Sequence, residues 1–122
     1  MARPILDEAH IHQTIREFVA TRESSILGEV QDAIAKHAVV VVGMKMNPFP
    51  KQARRLLDAA GIAYHYLEYG SYLGDWRRRT ALKMWSGWPT LPMVFVKGVL
   101  VGGANDLKKL ADSGELIKLL AD

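Results

Sequence analysis

The run AVVVVG, residues 38–43, constrains the fold more than any other segment. Four consecutive valines without a polar alternate read as a strand whose two faces are both covered. A central strand of that kind needs a layer above it and a layer below, so the chain is expected to build a sheet between helices. The residues beyond the run agree. Asn47-Pro48 is a good helix start, because asparagine caps and proline tolerates the first turn. The helix continues through Gln52, Ala53, Leu56 and Leu57, and Gly61 stops it. IAYHYLEY, residues 62–69, is the next strand. A strand, a crossover helix and a second strand make a parallel pair of right-handed connection.

The flanking segments complete the pattern. Residues 6–20 place Ile11, Ile15, Phe18 and Val19 at helical spacing, with Asp7 and Glu8 suited to a first turn. A second helix is predicted from Ser24 or Ser25 to Lys36, with Ile26, Leu27, Val30 and Ile34 as its apolar stripe. Asp75 to Trp85 is helical again, with Trp76, Leu82 and Trp85 as packing positions. PMVFVKG followed by VLVGG reads as a hairpin turning at Lys97-Gly98. Asn105–Leu110 and Glu115–Leu120 form a helical end broken near Ser113-Gly114. The predicted class is α/β: a mixed four-stranded sheet with helices on both faces and an extra N-terminal helix.

Composition bounds the chemistry. The 122 residues, 49% hydrophobic and 24% charged, suit one soluble domain, divided here into an N-terminal helical extension at 1–23 and a main domain at 24–122. No apolar run reaches the roughly 20 residues that span a bilayer. The N-terminus lacks the pattern of a secretory signal, so the cytoplasm is the expected location and no membrane partner is expected. There is no cysteine. Disulfides, thiolate nucleophiles, Cys-ligated zinc and Cys-held iron–sulfur clusters are therefore excluded as intrinsic activities. Between Lys36 and Lys109 twelve Lys/Arg face four Asp/Glu, a positive middle suited to a small anion or an acidic protein surface. No nucleic-acid motif accompanies it.

Three stretches carry a family resemblance. WPTLPMVFVKGVLVGG (88–103), ANDLKKLADSGELIKLL after it and VVVVGMK upstream resemble the monothiol glutaredoxins, a branch of the thioredoxin fold. The likeness covers residues 24–121. It implies a cis bond at Leu91-Pro92 and a groove that holds glutathione. Within that groove Lys45 and Arg79 would meet the glycine carboxylate, and Leu91 would pair with the cysteinyl backbone. Gly103, Asn105 and Asp106 would receive the γ-glutamyl end, with Phe49, Thr90, Pro92 and Gly102 completing the surface. Asn105 stands where the group usually has Asp, and the loop after Lys45 is shorter than in that group. The residues themselves support part of this. A bend before a strand exposes the Leu91 backbone, and a helix beginning near Asn105-Asp106 offers free N–H groups to a carboxylate.

The family cysteine has no counterpart. Aligned backwards from QARRLL, its position falls on Asn47, within Asn47-Pro48-Phe49-Pro50; aligned forwards from Met44-Lys45, the same residues match a proline-rich loop and the tetrapeptide is absent. Either way no thiolate is available for exchange, and the [2Fe–2S] cluster of the monothiol group loses its protein ligand. The expected function is a non-catalytic module that binds glutathione or a partner protein. The alternative is an enzyme that uses bound glutathione as its thiol, activated by Lys45, Arg79 or one of Tyr64, Tyr66, Tyr69 and Tyr72. No metal site is expected, since His10 and His12, two apart on a helix, point to different faces. His65 reads as a hydrogen-bonded structural histidine.

Overall fold

The computed structural model describes residues 2–121. After a 3₁₀ turn at Glu8–His10 come α1 (Gln13–Thr21) and α2 (Ser24–Lys36). The alternating part comes next: β1 (Val39–Gly43), α3 (Pro48–Ala59), β2 (His65–Glu68), α4 (Trp76–Ser86), then β3 (Met93–Val96) and β4 (Val99–Gly102). Two helices close the chain, α5 (Ala104–Ser113) and α6 (Glu115–Ala121). The sheet order is β2-β1-β3-β4, with β1 parallel to β2 and antiparallel to β3, and β3 antiparallel to β4. This is the thioredoxin fold: a mixed four-stranded sheet with helices on both faces.

The valine run sorts the two layers. Val40 and Val42 pack with Ile26 and Val30 of α2, Leu82 of α4, and Met93 and Phe95 of β3. Val39 and Val41 point the other way, among Ala53 and Leu57 of α3, Leu107 of α5 and Leu116 of α6. All five β1 residues are buried, as a strand with no polar alternate requires. The β3–β4 turn lies at Lys97-Gly98, and both residues take positive φ (48° and 80°), which a two-residue I′ turn demands.

Several boundaries differ from expectation for local reasons. The first predicted helix starts late. Asp7 caps Ala9 in the 3₁₀ turn, Ile11 is extended, and His12 becomes the cap of α1. Ile11 therefore leaves the helical stripe. No residue of α1 is buried; Ile15 stays largely exposed, as do Phe18 and Val19, which border an apolar recess of about 300 Å³ with Leu27, Met84 and Trp85. The second strand shrinks to His65–Glu68, the part of the 62–69 segment that pairs with β1. Trp76 is exposed rather than packed, because α4 turns Leu82 inward. His65 stacks on His37, ring centroids 4.3 Å apart and 2° from parallel, instead of resting on a hydrogen bond.

Leu57, fully buried between the sheet and α5, tests the core. Leu57→Ala should lose about 3 kcal/mol in urea unfolding. Phe18→Ala, at an exposed position, should change stability by less than about 1 kcal/mol. Equal losses would mean that α1 is part of the core.

Candidate functional site

The groove forms where β1 ends and β3 begins. Val42 pairs with Met93, so the head of α3 and the segment before β3 meet at one end of the sheet. The Leu91–Pro92 bond is cis. Asn47 caps α3: its Oδ1 accepts from the Phe49 N–H at 3.0 Å. Its Nδ2 donates across the groove to the Leu91 carbonyl at 3.4 Å, the long end of the hydrogen-bond range. The Leu91 N–H makes no hydrogen bond among the described residues. One half of a short main-chain ladder is thus open, and the other half is held by an amide that an incoming N–H could displace.

Between these segments and the start of α5 lies a cavity of about 320 Å³ lined by Phe49, Trp88, Thr90, Leu91, Pro92, Gly103, Ala104, Asn105 and Asp106. Seven residues singled out from sequence meet there. Trp88 and Ala104 were missed, although Trp88 opens the very motif that identified the segment. Its indole Nε1 is buried without a partner, a donor left in the cavity wall. Asp106 is already engaged, accepting from the Gly103 N–H at 3.0 Å through Oδ2. That contact explains Gly102: its φ is +114°, and a Cβ there would stand 2.7 Å from the Asp106 carboxylate. Asn105 is exposed in the first turn of α5, where main-chain N–H groups lack intrahelical acceptors.

Lys45, Arg79 and Gly102 are not among the lining residues. Gly102 acts through its close approach to Asp106. Lys45 is exposed on the loop after β1, and its backbone N–H donates to the Gly70 carbonyl at 2.7 Å. Arg79 lies away from the cavity wall. Only 6% exposed, it turns inward, and its Nη1 donates to the carbonyls of Tyr69 (3.0 Å) and Gly74. A buried guanidinium needs such acceptors, and the loop before α4 supplies them to Nη1. None of Tyr64, Tyr66, Tyr69 and Tyr72 lines the cavity. Burial first, then the neighbouring Glu68 charge, pushes Tyr66 up to about 12. Burial first, then Glu29, does the same to Tyr69. Tyr72 lies exposed on the loop before α4. Among the described residues no group of three His, Cys, Asp or Glu could hold a metal, and no helix is long and apolar enough to cross a membrane.

Comparison with known proteins agrees with this geometry. The family model for glutaredoxin matches residues 39–101. A glutaredoxin-like protein of Dictyostelium discoideum is 40% identical over 104 residues, covering 85% of each chain. A probable monothiol glutaredoxin 2 of Rickettsia prowazekii is 37% identical over 98 residues, 76% of this chain and 89% of that one. The crystal structure of wheat glutaredoxin superposes with a TM-score of 0.70 at 28% identity, over 81% of this chain and 92% of the other. With its sheet order, its cis proline and these relatives, the chain belongs to the glutaredoxin family, as a member without cysteine.

Proposed function

We propose that this chain is a non-catalytic binding module of the cytoplasm, whose groove takes glutathione or an extended peptide segment. The observation that carries the reading is the pairing of a retained groove with an amide at its reactive end. The cavity keeps the Leu91 backbone and the α5 N-terminus, while Asn47 stands at the head of α3. An amide nitrogen is delocalised into its carbonyl and cannot attack sulfur, and thiol exchange proceeds only through a thiolate. An iron–sulfur cluster does not fit this donor set, because its irons need thiolates and the head of α3 offers a carboxamide. The rival reading, an enzyme using glutathione as its thiol, is less well supported, because none of Lys45, Arg79, Tyr64, Tyr66, Tyr69 and Tyr72 lines the cavity.

Disulfide reductase activity coupled to glutathione reductase should be absent, and the protein should stay colourless after iron–sulfur reconstitution. Turnover that persists after removal of contaminating glutaredoxin would refute this. Asn47→Cys is the companion test. At the cap of α3 the new thiol should titrate below the free value of about 8.5, read by thiolate absorbance.

Calorimetric titration tests the groove. Glutathione should bind with a Kd around millimolar, worth about −4 kcal/mol, since no covalent or metal bond anchors its sulfur. Asn105→Asp should tighten binding by adding a carboxylate near the ligand ammonium, and added salt should weaken that gain. Flat traces for wild type and variant alike would leave only the peptide-binding half of the proposal.

A further inference from the structure

Helices α1, α2 and α4 enclose a recess separate from the groove. Its wall is mostly apolar: Phe18 and Val19 come from α1, Leu27 from α2, and Ala81, Met84 and Trp85 from α4. The volume is about 300 Å³, and no lining residue is shared with the cavity at the head of α3. Phe18 is 62% and Met84 66% exposed, so the recess is open to solvent. The core does not need this wall, since no residue of α1 is buried. The segment that carries α1 is nevertheless anchored on both sides of it. Arg3 Nη2 donates to the Trp85 carbonyl in the last turn of α4, at 3.2 Å. At the other end Glu23, with φ +52°, turns α1 directly into α2. A non-glycine residue seldom takes that conformation unless the surrounding structure imposes it. An apolar helix face held beside another helix, yet sealed into no core, leaves the kind of concave apolar surface that marks a ligand site.

The polar part of the lining defines the other half of the ligand. Among the described residues Arg22 is the only charged side chain of the wall, and Thr80 adds one hydroxyl. The Arg22 guanidinium lies 5.7 Å from the Phe18 ring centroid, a cation–π contact that keeps it at the recess. It forms no ion pair among the described residues. Glu23, its chain neighbour, lines a different recess with Asp75, Trp76, Arg77 and Arg78. A guanidinium presents a planar fork of donors that matches a carboxylate. We propose that this recess binds an amphipathic monocarboxylate of the medium-chain fatty-acid class, its chain among Phe18, Leu27, Met84 and Trp85 and its carboxylate on Arg22. A saturated chain of about ten carbons suits a recess at the small end of the range for ligand sites. The α1 wall lies outside residues 39–101 that match the family model, so the site does not derive from the matched domain alone.

Amide NMR titration of the full chain with hexanoate, octanoate and decanoate tests this. Each should shift the resonances of Phe18, Val19, Leu27 and α4 saturably, with Kd falling about threefold for each added methylene. Decanol should bind about fivefold more weakly than decanoate, and added salt should narrow that gap. Arg22→Gln should bring decanoate to the decanol value and leave decanol unmoved. Val19→Asp, at a half-exposed position, should abolish decanoate binding while circular dichroism stays native. No saturable shifts, shifts centred on the groove, or a Kd indifferent to chain length would overturn the proposal. So would decanol or decyltrimethylammonium binding as tightly as decanoate, or Val19→Asp without effect. Shifts that depend on protein concentration would overturn it too, by placing a second copy in the recess. Failure of glutathione binding alone would strike the groove and leave this site standing.

Discussion

β1 delivers Val40 and Val42 into one helical layer and Val39 and Val41 into the other, and the placement of every groove residue depends on that two-sided burial. A strand so committed cannot slip by one residue without exchanging its two faces, so its register is fixed. Because Val42 lies opposite Met93, the end of β1 and the start of β3 coincide. The Lys45–Asn47 loop and the Leu91–Pro92 bend are then brought together by sheet pairing alone. The contact between Asn47 and the Leu91 carbonyl is a consequence of this register.

The polar groups of this end mostly serve the protein's own backbone. Asn47 caps α3 and reaches Leu91, Asp106 holds the Gly103 N–H, and Arg79 holds two loop carbonyls. In a redox glutaredoxin the resemblance assigns several such positions to the ligand. Here they stiffen the groove, along which main-chain groups and the α5 N-terminus remain. Such a site is shaped in advance but short of charged anchors, which suits reversible, weak binding better than chemistry.

The sequence made the layer order legible because its strongest signals, the valine run and the hairpin with its Gly-Gly end, report burial and turn geometry directly. Most of the cavity wall was legible for the same reason, since all of its lining but Phe49 falls between Trp88 and Asp106. The inward turn of Arg79 was not legible, because its residue type and spacing are those of a ligand arginine. Only the path of the loop carbonyls reveals that its Nη1 is turned onto the backbone. Trp76 was misread because periodicity gives the face of a helix but not whether anything covers it. His65 was misread because its partner, His37, stands 28 positions away on another segment.

The sheet has two outer strands, β2 and β4, and each is only four residues long. β4 also joins β3 through a register shift at Val94/Phe95 and ends at Gly102 with φ +114°. Irregularities of this kind twist an edge and interrupt the row of unpaired main-chain groups that another strand would copy. At high concentration the molecule is therefore protected from growth by strand addition toward fibrils. Crowding acts instead on side-chain surfaces, where contacts stay reversible.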